Sequence, residues 1–453
     1  MPLPSPDLDD RKFQDIVDEA KRLITRYCPE WTNHNVSDPG VALIELFAWM
    51  SEMVLYRINQ VPERLYVHFL NMVGVDPFPP SVARANLTFW LSSVLEQEVI
   101  VPAGTQVTTA AGAGSGEEAV VFSTTTDLHI APPELRAAMT VTAQDARVTD
   151  VWDDLRFDVV GVPCFPSAEL TPGDTFCLGF ARSLAGTVLR LRLSAQAAGI
   201  GVDPRNPPLV WEVWNGEGWI HVPVQEDTTG GLNRAGDIVL LIPIEHELMT
   251  LGNVAAYWLR VRLVAPQPGQ PTYQASPRIR DLDAATLGGT VSAEHAEAVP
   301  AEFIGRSDGS PAQAFTVSRV PVLPRREGET IRVVTTDGET EWTEVDDFTQ
   351  SAADDHHFTW DSGSGTVRFG PRVRYPDGTV RQHGMIPRDG AQISATGYRY
   401  GGGARGNVGA RTLTVLRTSL PYIRGVINLE AATGGVDAET VGEAKVRGPL
   451  TLR

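Results

Sequence analysis

Gly305-Arg306-Ser307-Asp308-Gly309 reproduces the G-x-S-x-G spacing of a hydrolase nucleophile. In that chemistry the serine sits on a strained turn between a strand and a helix, with its oxyanion donors close by. Here Ser310-Pro311 follows, and Ala314 to Val317 reads as another strand, so no helix is available. The competing expectation is a tight turn in which Ser307 and Asp308 bond nearby backbone. An esterase led by Ser307 stays as the lesser alternative. Asp354-Asp355-His356-His357 offers carboxylate and imidazole ligands for a metal,. Adjacent residues on a strand point to opposite faces, and no second cluster completes a site. A solvated loop, without metal, is expected.

Gly401 to Gly406 could cradle a phosphate, but it lacks a P-loop lysine, and Thr412 to Leu416 continues as strand,. A bend where backbones pass closely is expected instead. Trp211, Trp214, Trp219 and Trp258 could stack on sugars, which makes a carbohydrate-binding adhesin module a second alternative function. Aromatics also fill sandwich cores, and alternation sends some of these inward. No catalytic residue and no cofactor follow from these patterns.

The elements around these residues are mostly strands. At 453 residues the chain exceeds one core, so several domains are expected,. Hydrophobic content of 42% with 21% charged residues describes a globular protein. A net charge of −18 without a basic stripe argues against wrapping nucleic acid,. The N-terminus has no apolar signal-like core, so assembly in the cytosol is expected,. Cys28, Cys164 and Cys177 lack metal-site spacing and suit buried, reduced thiols,.

The amino end differs from the rest. Phe13, Ile16, Val17, Ala20, Leu23, Ile24 and Tyr27 repeat with helical spacing,. Asp38 can cap a second helix and Pro39 suits its first position,. That helix carries Leu43, Ile44, Leu46, Phe47, Trp49, Met50, Met53, Val54, Leu55 and Ile58 around nearly its whole circumference. A helix apolar all round must be enclosed, by its own chain or by another. Glu45, Glu52 and Arg57 interrupt it, so a membrane span is not expected,. A third helix is expected to open at Pro62, turn Leu65, Tyr66, Phe69, Leu70 and Val73 inward, and end at Gly74,.

The run TNHNVSDPGVALIELFAWMSEMVLYRINQVPE, residues 32 to 63, resembles the opening of the baseplate-wedge assembly proteins of contractile, phage-tail-like injection systems. Three further stretches resemble the baseplate J-like family. They are the "PAGT … F.T" pattern from Pro102, the "SDG.P.Q.F" segment from Ser307, and YRYGGGARGNVGARTLTVL … VINLEAATGGVDAET from Tyr398. The resemblance covers most of the chain but part of the family's length, since relatives continue with a further α/β section.

The resemblance implies a structural protein and no enzyme. It implies an interface through Leu43, Ile44, Phe47, Met50, Val54 and Ile58, with Glu45 and Arg57 setting register. Gly434 and Gly435 would touch the next wedge of a sixfold ring. Implied partners are the larger wedge protein, further copies of this chain, a small sheath-initiator-type protein, and the central hub and spike.

The expected fold class is α+β multidomain. Residues 1–80 would be a helical core-bundle domain, and 81–150 the first part of a J-like β domain. An inserted jelly-roll-like β-sandwich would fill 151–270, and 271–420 would be the second J-like part. The start of a C-terminal α/β ring-contact section would occupy 421–453.

Overall fold

A computed structural model of the chain describes residues 9–32, 35, 38–59, 78–110, 119–157, 160–197 and 202–451. The expected third helix, Pro62 to Gly74, lies outside them. The described chain forms an α+β arrangement with two compact units, 1–80 with 437–453, and 81–436.

In the first unit, helix α1 spans Phe13–Tyr27 and helix α2 spans Pro39–Asn59. Asp38 caps α2, its Oδ1 accepting from the Gly40 N–H at 2.7 Å. Trp31 packs against the same turn, and a Cβ on Gly40 would lie 2.3 Å from its ring. The helices meet through Val17 and Ile24 of α1 and Val41 and Ala48 of α2, all buried. Glu52 Oε1 adds a bond from the Phe13 N–H at 3.1 Å. Leu23 and Tyr27, expected to face inward, are exposed, so the buried stripe of α1 is narrower than its apolar pattern. A further helix, Val441–Thr451, is capped by Thr440, which exchanges bonds with Glu443.

The second unit is built on one long strand. Arg278–Glu294 pairs with Thr187–Gln196 through its first part and with Arg84–Leu91 through its second. Arg84–Leu91 then pairs with Ile423–Asn428 on its other edge. Leu87, Phe89 and Leu91 are buried on one face, as their alternation predicts. This shared strand makes one continuous sheet of what the sequence reads as separate domains.

A second sheet faces the first half of that strand. Its order is Trp219–His221, Leu209–Trp214, Val254–Leu263, Thr175–Phe180, Leu135–Val141, Val148–Asp150. Leu189, Leu191 and Leu193 from one sheet pack with Phe176, Leu178, Trp211, Val213, Leu259 and Val261 from the other. A sandwich therefore stands where one is expected, but it takes in Leu135–Asp150 before residue 151 and Arg278–Glu294 after residue 270. Hydrogen bonding crosses both of the expected boundaries.

A third core, with Trp342, Phe358, Trp360, Phe369 and Ile393, fills a sheet running from Glu302–Arg306 to Gln392–Ala395. The chain enters and leaves it through paired strands Ala296–Val299 and Tyr398–Gly401. The segment 421–453, expected as one section, divides. Ile423–Asn428 belongs to the central sheet, and 437–453 groups with the helical unit.

Candidate assembly surface

Ser307 is 3% exposed and its hydroxyl is fully engaged. It donates to the Pro387 carbonyl at 2.7 Å and accepts from the Gly309 N–H at 3.1 Å and Gln313 Nε2 at 2.9 Å. Asp308 accepts from the N–H and Oγ of Ser310 at 2.8 and 2.6 Å. The preceding strand runs Glu302–Arg306 and the following one Ala314–Thr316, so the segment is a turn between strands. Among the described residues no base contacts the serine.

In the Asp354 to His357 cluster, Asp355 Oδ2 and His357 Nδ1 lie 3.8 Å apart, and the other contacts lead away from one another. His356 stacks edge-on against Trp342, with ring centroids 5.2 Å apart, and His357 Nδ1 bonds Ser351 Oγ at 2.9 Å. Asp355 accepts from the Ala352 N–H at 2.8 Å. Among the described residues no three His, Cys, Asp or Glu side chains gather as a metal site. In the glycine-rich stretch, Gly402 and Gly403 donate to the carbonyls of His295 and Ser81 at 3.0 and 2.9 Å. A Cβ on Gly402 would lie 3.0 Å from the Ser81 oxygen, and φ is +81° there. Close backbone passage explains these glycines.

The tryptophans divide by face. Trp211 packs inside the sandwich, and Trp258 is wholly buried on the sheet's other side, its Nε1 donating to the Met249 carbonyl at 2.8 Å. Trp214 and Trp219 are half-buried and edge-on at 5.8 Å. The Arg260 guanidinium covers Trp219 at 3.9 Å, which takes up a ring face a sugar would need. Arg260 and Arg262 converge on Glu212 at 2.8 and 2.6 Å. Burial raises the Glu212 pKa, but the Arg262 hydrogen bond and the Arg260 charge outweigh it and leave that pKa lowered.

Gly435 is buried in its own unit, bonded on both sides by Asn407 at 2.9 and 2.7 Å. A Cβ there would strike the Gly403 carbonyl at 2.4 Å. Gly435 is thus enclosed by its own unit, whereas Gly434 is exposed. Cys164 and Cys177 are buried, and burial pushes the Cys177 thiol up to about 11. Cys28, expected to be buried, is exposed, because it follows the last turn of α1 beyond its packed stripe.

The surface that stands apart is on α2. Leu43, Phe47 and Trp49 are 61%, 71% and 51% exposed, and Leu46, Met50, Met53, Val54 and Tyr56 are exposed with them. Ile44 and Glu45 are half-buried, and Arg57 is exposed. Ile58 lies within α2, but its side chain is outside the described residues. Only a narrow face of α2 is buried, and among the described residues most of its remaining apolar circumference is exposed. By length and composition Pro39–Arg57 also meets the requirement for a membrane span, with 11% of that window buried. This corrects the expectation that its charges exclude one: two carboxylates and one guanidinium leave the average hydropathy high enough.

No protein-family model matches the sequence, and no curated protein does. Among solved structures, the chain is similar to a chain of the type VI secretion system TssK-TssF-TssG baseplate subcomplex. Identity is 14% over 91% of this chain and 81% of that one, with a TM-score of 0.35. It is also similar to a chain of the sixfold-symmetrised anti-feeding prophage baseplate. There identity is 16% over 60% of this chain and 47% of that one, with a TM-score of 0.18. At these TM-scores neither likeness decides a function.

Sequence reasoning missed the triad in which half-buried Arg260 and Arg262 meet buried Glu212. Its signal was present, because Glu212 alternates with Trp211 and Val213 on the face opposite the core.

Proposed function

We propose that this chain is a structural wedge component of a contractile injection system's baseplate. One observation carries the reading: the broad apolar side of α2, exposed among the described residues, coincides with the stretch whose sequence resembles wedge proteins. Each large apolar side chain on it gains about 1.5–3 kcal/mol on full burial, so several together drive a stable helix-on-helix contact. The occupants would be helices of the larger wedge protein or of another copy, with Glu45 and Arg57 fixing register at the rim. The β-rich unit would act as a rigid spacer, and the exposed turn at Gly434 would lie toward the next wedge. Sheath-initiator, hub and spike proteins would complete the sixfold assembly. Its widening on contraction would use packed interfaces that hold two discrete arrangements.

Phe47→Asp with Val54→Asp tests this in cells that make the chain. The wild type should sediment with tail-like particles. The double variant should stay in the supernatant with its β unit folded, as judged by limited proteolysis. Incorporation of the variant at wild-type level would defeat the proposal. Flotation of the wild-type chain with phospholipid vesicles, lost in the variant, would replace subunit docking by membrane insertion.

A further inference from the structure

The two-stranded ribbon Arg372–Arg374 with Val380–Gln382 is pinned at its base and bare along its length. Tyr375 Oη and His383 Nε2 share a hydrogen bond at 2.8 Å, and Asp377 caps the turn by accepting from the Thr379 N–H and Oγ1 at 2.9 and 2.6 Å. Gly370 and Gly384 pass so closely that a Cβ on Gly370 would sit 2.2 Å from the Gly384 oxygen. The register puts Arg372, Arg374 and Val380 on one face and Val373 and Arg381 on the other, and all five are exposed. A lone two-stranded ribbon is marginal in water, so one held in shape with both faces open is suited to contact.

Its charge is out of place. Residues 366 to 383 carry four arginines and one aspartate in a chain of net charge −18. Acids outnumber bases 56 to 38, and arginines such as Arg192, Arg325 and Arg399 find carboxylates. Arg372, Arg374 and Arg381 pair with no carboxylate among the described residues; Arg381 lies over the Tyr375 ring at 5.0 Å. Arginine interleaved with exposed valine is an interface composition.

The matching surface is on the same unit. The turn after Leu209–Trp214 and the loop 243–248 bring Glu217, Glu245 and Glu247 together, all exposed and without an ion pair among the described residues. The Glu247 N–H donates to the Trp214 carbonyl at 2.8 Å, and its side chain lies 3.5 Å from where a Cβ on Gly216 would be. Exposed Ile244 and Leu248 flank these acids. One patch offers arginine and valine, the other glutamate with isoleucine and leucine.

We infer that the ribbon of one copy of this chain docks on the acidic loop of a second copy. The two patches differ, so the contact is head-to-tail, of the kind that generates rings or filaments. Rim charges steer the encounter and set its register, and the apolar residues supply the buried area. This contact does not use α2.

The test uses the full chain with Cys28→Ala, since Cys28 is the exposed thiol among the three cysteines. A preparation carrying Val380→Cys is mixed with one carrying Leu248→Cys under mild oxidation. A disulfide-linked dimer should form in the mixture and not from either preparation alone. Arg372→Glu, Arg374→Glu and Arg381→Glu on the first chain should lower its yield about tenfold. Glu217→Arg, Glu245→Arg and Glu247→Arg on the second should restore it. No dimer above the single-preparation level, or a yield indifferent to charge reversal, overturns the inference. So does binding of a short oligonucleotide that the arginine variant loses, which would assign the ribbon to nucleic acid. Phe47→Asp with Val54→Asp should leave the crosslink unchanged, so failure of this contact and failure of the wedge reading are separable.

Discussion

The backbone of Gly288 passes close to that of Phe89: a Cβ on the glycine would sit 2.1 Å from the Phe89 carbonyl oxygen. A Cβ on the neighbouring Gly289 would lie 3.1 Å from the side chains of Leu128 and Ile130. At this point Arg278–Glu294 is paired on both edges at once, Val188 and Trp90 both lying opposite Gly288. Gly288→Ala should force the two strands apart and destabilise the β unit by about 3 kcal/mol, beyond the usual range for surface changes. Urea denaturation followed by tryptophan fluorescence measures it, and a loss below about 0.5 kcal/mol would show that the strand shifts freely.

That strand also marks where the sequence stopped being readable. Leu87–Leu91, Leu189–Leu193 and Tyr257–Leu263 alternate cleanly because each has one face on a core and one facing away. Arg278–Glu294 alternates poorly. Its first half carries Asp281 and Asp283 on open positions, and its Gly288-Gly289 pair reads as a turn when the need is close approach. The two halves of the unit therefore looked like separate domains. At the amino end, periodicity showed an apolar α2 but not which narrow face α1 would take. That choice depends on Val41 and Ala48 meeting Val17 and Ile24, a contact between helices and not a property of either one.

His246 is buried with Nδ1 accepting from the Leu184 N–H at 3.1 Å and Nε2 without a partner among the described residues. Burial lowers its pKa from 6.5 to about 4. The folded state binds the proton less readily than the unfolded state, so the stability held above pH 6.5 is lost as pH falls to about 4 and is constant below. The loss is about 3 kcal/mol by linkage. His246→Asn, which keeps an acceptor near Nδ1, should flatten that part of the stability profile. An unchanged slope between pH 6.5 and 4 in the variant would assign it to other groups.

Glu212 holds Arg260 and Arg262 together on the outer face of the sandwich, and all three are largely shielded. Glu212→Gln would leave two adjacent guanidinium groups facing a neutral amide. Removing one partner from such a cluster destabilises by about 3 kcal/mol. Arg260→Met, which still covers Trp219, should be milder, since it removes charge together with the need for it. Thermal unfolding of the two variants gives the order, and a milder Glu212→Gln would contradict it.

Ser307 separates the turn from the esterase. Its hydroxyl serves three partners, the Pro387 carbonyl, the Gly309 N–H and Gln313 Nε2. Ser307→Ala strips a buried acceptor from two donors and a donor from one carbonyl, which should destabilise by about 1–3 kcal/mol. A hydrolase serine would instead react with a fluorophosphonate probe, and its alanine variant would lose activity with stability nearly intact. With the hydroxyl buried and no base beside it, the wild-type chain should remain unlabelled by the probe under native conditions. Labelling at Ser307 would restore the nucleophile reading, whereas silence together with a measurable fall in stability for Ser307→Ala assigns the G-x-S-x-G letters to the turn.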